Sequence, residues 1–458
     1  MDQNRIDKFD KYDEYIPVFV KIENDNNINE QYFKNIKSFS PIFSGKVNHP
    51  EFNLGFQHFY HQTKNNIGKI DLRHRSTVRY VINKFERYID DHNGSMGKYS
   101  YNYFNLNKKP NILSRAFYKL WELIMLLNLI NVDQDNYVSA HLSEGPGSFI
   151  QSSMFFRELF SKKHKNDKFY AITIFTENKK GEDRNFDREF IEFYKKNEKF
   201  TMHKTYTESE TINNKDKDNG DLTKLKTIRN FEKNFEKKKA DFISADGGFK
   251  WKNENMQEQE VMKLLIGEIL CALKIQNKNG SFVCKIYESF TTVTLKLICM
   301  LTVLYKNVYV AKPLTSRISN SEKYIVCEKY LYDDHPLKTK IIKELENILD
   351  IFPKDQFMID IFPDVNIDDH NTKLFTETNI IVANRQYTRM NEMIKYMKNE
   401  NYRGDEYHER RNMQIEAGKY WINMFFPSPN EFNEHKKKSV EYGGKINLKF
   451  KEEASKLT

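Results

Sequence analysis

The chain has 458 residues, with 73 Lys and Arg against 64 Asp and Glu and a net charge of +9, long enough for one large α/β domain with extensions or for two or three domains. Its charged start argues against a signal peptide, and its longest apolar runs, such as Leu295 to Tyr305, are too short to cross a bilayer. Four cysteines, Cys271, Cys284, Cys299 and Cys327, stand in apolar contexts without a CxxC pair, so the chain reads as a soluble intracellular protein with reduced, buried thiols. Mild basicity favours a polyanionic partner such as RNA but decides little, because the charges are mixed along the chain.

Residues 1–50 are polar, with one short strand expected at IPVFVKI, Ile16 to Ile22. From Pro50 to about Asp91 the aromatic and aliphatic spacing is helical. His58 and His61 lie three apart there, but no other metal-ligand cluster accompanies them, and they read as surface or packing residues. Ser114 starts the amphipathic helix SRAFYKLWELIMLLNLI as its N-cap, with Phe117, Leu120, Trp121, Ile124 and Leu127 on the buried stripe and Lys119 off it.

The stretch YVSAHLSEGPGSFIQSSMF, Tyr137 to Phe155, then reads as a buried strand, a tight Gly-Pro-Gly turn and a helix start. Glycine permits positive φ and close approach to a ligand, and unpaired N–H groups at the helix start suit the carboxylate or ribose of a nucleotide-like cofactor. Gly145 and Gly147 fit the first two glycines of a dinucleotide fingerprint, but Ile150 occupies the third position. A second buried strand follows at FYAITIFT and a third at FTMHKTY. The run TESETINNKDKDNGDLT reads as exposed loop.

Strands ADFISADGGF, SFVCKIYE, NVYVAKP and EKYIVCEKY complete the series, the first three separated by helical stretches. That alternation predicts a mostly parallel sheet with helices on both faces. The link from Lys312 to Ser321 is too short for a crossover helix, so the last strand should run antiparallel. Asp246 and Lys285 end parallel strands and so reach the ligand-binding edge. Glu322, which begins the antiparallel strand, and Lys119, early in a helix that returns to the central strand, reach the same edge. Two lysines among carboxylates suggest a base made by electrostatic tuning; an ordinary salt-bridge cluster would use the same residues.

With its motifs SEGPGSF, NGDLT, ADGGF, CKIYE and KPLTSRISNSEKYIV in this order, the chain resembles the FtsJ-like ribose 2′-O-methyltransferases, most closely the cap-type branch of eukaryotes and large DNA viruses. The family's Lys-Asp-Lys-Glu tetrad falls on Lys119, Asp246, Lys285 and Glu322, with spacings of 39 and 37 residues between the last three. The resemblance implies a Rossmann-like sheet and S-adenosylmethionine as cofactor. Glu144, Gly145, Pro146, Gly147, Ser148 and Phe149 would form the cofactor loop, Asp221 would approach the adenine end, and Asp246 would lie near the methionine and methyl. Family members often carry Gly where Ser148 stands. The implied reaction is in-line methyl transfer to a ribose 2′-OH, in which Lys285 takes or shares the hydroxyl proton and Lys119 lowers its pKa, without a metal.

The expected organisation is an N-terminal, mainly helical extension over 1–110, a methyltransferase domain over 111–333, and a helical C-terminal extension with a basic tail over 334–458. The implied substrate is the first transcribed nucleotide of capped mRNA. Internal or ribosomal RNA methylation and an inactive RNA-binding or scaffold paralogue are the alternatives. Capped mRNA or other RNA and other capping enzymes are the implied partners, with no membrane; host cytoplasm or virion is the implied place of action, and the coding bias fits a viral origin. In the C-terminal extension, HERR, HKKK, Tyr420 and Trp421 could contact RNA, though a solvated face and a packed aromatic pair are the preferred reading. Trp251, just after ADGGFK, is the better candidate for stacking on a cap or base.

Overall fold

The computed structural model describes residues 17–49, 54–68, 80–86, 95–174, 186–195, 198–203, 218–249, 251–399 and 404–456. Most of the low-complexity run before NGDLT lies outside the described residues.

Among the described residues, eight strands form one sheet: β1 (Val18–Ile22), β3 (Val138–Leu142), β4 (Lys168–Ile172), β5 (Phe200–Met202), β6 (Ala240–Ala245), β7 (Gln276–Ile286), β8 (Tyr305–Lys312) and β9 (Lys323–Tyr330). A separate two-stranded sheet joins β2 (Ile42–Ser44) to β10 (Phe357–Asp360). The large sheet runs in the order β1-β8-β9-β7-β6-β3-β4-β5. β5, β4, β3, β6 and β7 are parallel neighbours, while β9 lies antiparallel between β7 and β8. The expected antiparallel last strand is therefore present, inserted between its two predecessors. The strand expected near the N-terminus adds a second antiparallel member, since Val20 pairs with Val310 at the sheet edge.

Chain order reverses at β3: β4 and β5 extend the sheet to one side and β6 returns to the other. The crevice beyond the carboxyl ends of β3 and β6 is thus the topological switch point where open α/β sheets bind ligands. Glu144 follows β3, Asp246 follows β6, and Lys285 lies near the end of β7.

Alternating side chains feed two cores, one on each face. Ile243 and Ala245 of β6 join the helices Met262–Ile275, Thr292–Leu304 and Pro336–Ile351, whereas Phe242 joins Ala116–Leu127 and Ser148–Phe160. The second core also takes in Trp421, Ile422, Phe425 and Phe432 from the C-terminal helices. This cover changes one expectation. Lys119 was placed off the buried stripe of its helix, yet every residue from Phe117 to Leu126 is buried. Both sides of that helix are covered, so its two charged residues, Lys119 and Glu122, need internal partners.

Candidate active site

The turn after β3 is built by two residues in the left-handed region, Ser143 at φ +53° and Gly147 at φ +114°. A Cβ on Gly147 would stand 2.9 Å from the Phe186 ring and 3.1 Å from Leu113; glycine satisfies both the dihedral and the space. Gly145 and Pro146 lie between them, and the helix Ser148–Phe160 starts directly after Gly147. The N–H groups at that helix start were expected to face a ligand. Two of them are already taken, because Glu144 Oε1 accepts from Phe149 N at 2.7 Å and from Ile150 N at 3.1 Å. Glu144 thereby acts as a folded-back cap. Ser148, where the family often has Gly, shares a hydrogen bond with Ser114 Oγ at 2.8 Å.

What the turn presents is a carboxyl group rather than N–H. Glu144 Oε2 is buried and has no hydrogen-bond partner among the described residues, and burial pushes the carboxyl up to about 8. Glu268, from the helix Met262–Ile275, is likewise buried, with no hydrogen bond to its Oε1 among the described residues, and burial pushes that carboxyl up to about 7 against the hydrogen bonding of Ser143 and Cys284. Both groups feel the charges of Asp246 and Lys285. A cationic ligand with N–H donors would suit this crevice, because its charge would draw both buried carboxyls back toward the ionised form and its N–H groups would meet their free oxygens.

Four residues meet at this edge as two ion pairs. Lys285 Nζ lies 3.1 Å from Asp246 Oδ1 and donates to the Asp246 carbonyl at 2.9 Å, while Lys119 Nζ lies 2.7 Å from Glu322 Oε1. Tyr324, the cross-strand partner of Lys285, donates its hydroxyl to Asp246 Oδ1 at 3.3 Å. Glu322 would be raised by burial, but the charges of Lys119 and Lys285 hold it well below the usual carboxylate range. Lys285 is driven down by burial, yet Asp246, then Tyr287 and Glu322, carry it above the usual lysine value. In the ligand-free chain any lowering by Lys119 is outweighed. Lys119 is paired with Glu322, and the carboxylate next to Lys285 outweighs desolvation.

A dense polar frame holds this arrangement. Buried Lys312 donates to Ser316 Oγ, to the Asn320 carbonyl and side chain, and at 2.7 Å to the Glu322 carbonyl; Ser316 in turn donates to Glu322 Oε1 at 2.9 Å. Glu86 binds Arg317 and also Arg115, which precedes the Lys119 helix. Glu122 accepts from Leu314 N at 2.7 Å, from Thr315 N and Oγ1, and from Trp421 Nε1 at 3.0 Å. The loop before Glu322 and the helix bearing Lys119 are therefore fixed to each other twice.

Asp221 is occupied with its own turn, accepting from Thr223 N at 3.0 Å and Thr223 Oγ1 at 2.7 Å. That turn is clamped by two glycines, since a Cβ on Gly220 would stand 2.0 Å from the Thr173 carbonyl and one on Gly267 would stand 2.1 Å from the Leu222 carbonyl. His61 binds Glu288 at 2.9 Å, and His58 is exposed. Trp421 is fully buried, Arg410 pairs with Glu392 and Glu406, and Lys438 pairs with Glu434.

Sequence reasoning missed Glu268, Tyr287, Tyr324 and Lys312. The signals were present. Glu268 is the lone acid within the apolar helix MKLLIGEILCALKI, and Tyr287 and Tyr324 stand two residues beyond Lys285 and Glu322, the spacing that returns to one strand face.

Comparison with known proteins adds names to this geometry. Residues 112–330 match the family model for FtsJ-like methyltransferase. Over 114 residues, 24% of this chain and 14% of the relative, the chain is 39% identical to the cap-specific mRNA (nucleoside-2′-O-)-methyltransferase 1 of Mus musculus. Over 307 residues, 64% of this chain and 32% of the relative, it is 29% identical to the cap-specific mRNA (nucleoside-2′-O-)-methyltransferase 1A of Caenorhabditis briggsae. An inactive cap-specific mRNA (nucleoside-2′-O-)-methyltransferase 1B from the same nematode is 28% identical over 306 residues, 64% of this chain and 33% of the relative. The chain thus spans a third or less of the length of these relatives.

Proposed function

We propose that this chain, whose residues 112–330 match the FtsJ-like methyltransferase family model, transfers the methyl group of S-adenosylmethionine to a ribose 2′-hydroxyl of RNA, on the first transcribed nucleotide of capped mRNA. The observation that carries the reading is the double ion pair Lys119–Glu322 and Lys285–Asp246 beside the crevice of β3 and β6. The names of the relatives support the capped substrate. Because an inactive protein is among them, similarity alone does not argue for activity; the two intact pairs do.

S-adenosylmethionine, when bound, supplies a methyl group on a positively charged sulfur and an ammonium. The buried carboxyl groups of Glu144 and Glu268, with Asp246 close enough to act on both, would suit those positive charges. Asp221 and the clamped turn around it are the assigned adenine side.

Lys285 is the group assigned to the hydroxyl proton. In the ligand-free chain Asp246 holds it as an ammonium, a donor that can orient the ribose oxygen. The cofactor's positive charge, if held near Asp246, would weaken that hold and would favour the neutral amine of Lys285, the form that accepts a proton. Lys119 and Glu322 fix the opposite wall, and Tyr324 keeps Asp246 in place. Holding the reactants in attack geometry supplies much of the acceleration, about 7 to 11 kcal/mol in well-oriented systems.

The test is incubation with labelled S-adenosylmethionine and matched capped and uncapped RNAs, with the label mapped to a ribose. Label confined to the first transcribed nucleotide of capped RNA supports the reading. Label on uncapped RNA moves the assignment to internal ribose methylation, and neither transfer nor cofactor binding leaves an RNA-binding scaffold.

A further inference from the structure

An aromatic run at the rim of the site, next to Lys285, joins Tyr287 and the stacking candidate Trp251 to a ring with no role above, Phe249. Phe249 follows the Gly247–Gly248 turn and is 46% exposed, a large apolar ring left in water beside a charged crevice. Its centroid lies 4.5 Å from that of Trp251, with the planes tilted by 46°. Trp251, itself part-exposed, meets Tyr287 edge-on at 4.7 Å and 77°. Tyr287 places its ring 5.6 Å from Lys285 Nζ and its hydroxyl 3.4 Å from the Gly247 carbonyl. The three rings lead without a break from solvent to the ammonium.

Burial does not explain the outer end of this run, because Phe249 keeps nearly half its surface in water. Stacking does: an aromatic face at the mouth of a charged site suits a nucleobase, whose own flat face is available whichever base it is. Gly248 makes room for Tyr287 beside Lys285. A Cβ there would stand 2.6 Å from Tyr287 Oη and 3.5 Å from Lys285 Nζ. A nucleotide carries its base on the same ribose as the 2′-hydroxyl, so a surface that receives the base must stand beside the group that receives the hydroxyl. The run from Phe249 to Tyr287 does.

We propose that Phe249 and Trp251 form the stacking surface for the base of the acceptor nucleotide, next to the ribose presented to Lys285; this rests on the methyl-transfer reading above. Recognition through a ring face makes the site tolerant of base identity at that nucleotide.

The experiment compares capped RNA with an otherwise identical RNA whose first transcribed nucleotide keeps its ribose and lacks its base. On the complete RNA, Phe249→Ala raises KM roughly 5- to 150-fold, the span given by the stacking of one base, with S-adenosylmethionine affinity unchanged and Phe249→Trp restoring KM. On the abasic RNA, wild type and Phe249→Ala coincide. Binding has its own readout: of the three tryptophans, Trp121 and Trp421 are fully buried, so quenching by the complete RNA reports on Trp251, and the abasic RNA should lack it. A KM for Phe249→Ala within twofold of wild type, or an equal loss on the abasic RNA, overturns the assignment. Base-dependent quenching without methyl transfer by the wild type upholds the stacking surface and overturns the methyl-transfer reading instead.

Discussion

The ammonium of Lys119 stands 2.7 Å from Oε1 of Glu322, with the two side chains 10% and 11% exposed. A pair this deeply placed is more costly to halve than to remove. Lys119→Ala should destabilise the fold by about 3–5 kcal/mol, because it leaves Glu322 charged and buried. Lys119→Met combined with Glu322→Gln should recover most of that loss and stay inactive. Chemical denaturation alongside a transfer assay separates the two effects; a double variant no more stable than Lys119→Ala would contradict the pairing.

The buried carboxyl of Glu268 gives a pH dependence with a defined sign. Burial raises its folded-state value to about 7, above the ordinary glutamate value of 4.5. Between those two values the folded chain holds a proton that the unfolded chain has lost. Its stabilising contribution is therefore complete below about pH 4.5 and is lost as pH rises through about 7. Glu268→Gln should flatten this part of the stability profile and make the chain relatively more stable at pH 8, as read by thermal melts across pH. An unchanged profile would refute it.

Gly220 sits at φ +77°, where a Cβ would stand 2.0 Å from the Thr173 carbonyl. Backbone cannot yield as a flexible side chain can, and alanine disfavours that dihedral by about 1–2 kcal/mol before the clash is counted. Gly220→Ala should therefore cost about 2 kcal/mol or more and weaken S-adenosylmethionine binding through the Asp221 turn. Urea unfolding and calorimetry check the two parts. Gly55, where an added Cβ meets nothing within 4 Å, serves as the control.

The C-terminal helices contribute to the same core as the sheet. Trp421 donates to Glu122 at 3.0 Å, Trp121 donates to the Phe425 carbonyl at 2.7 Å, and Phe426 stacks on Tyr103 at 4.4 Å. A chain ending at Asp333 should lose cooperative unfolding and bind an exposed-surface dye, since it uncovers the apolar side of the Lys119 helix. A soluble, cooperatively unfolding fragment would show that this cover is dispensable.

The meeting of Lys119, Asp246, Lys285 and Glu322 was legible from chain order, because parallel strands put their carboxyl ends on one edge and a returning helix or strand begins there. The charge state of Lys285 was not. It depends on whether Asp246 or Lys119 stands nearer, a matter of ångströms set by side-chain geometry. The Glu144 cap was hidden for a similar reason: GPG predicts a turn, but not that a carboxylate folds back to take the Phe149 and Ile150 N–H groups. Amphipathicity misplaced Lys119 because the stripe argument assumes one covered side, and the second cover comes from residues about 300 positions away. Trp421 was read correctly as packed, since an aromatic on a helical stripe needs no partner identity to be buried.

The most direct test is the rate of methyl transfer to capped RNA by Lys285→Ala, measured in single turnovers at saturating S-adenosylmethionine and RNA. Loss of a positioned proton-transfer group predicts a fall of about 10²- to 10⁴-fold, with cofactor affinity close to that of wild type and the label that remains still on the first ribose. A variant that transfers within a few-fold of the wild-type rate would contradict the assignment of Lys285 and, with it, the account of the site.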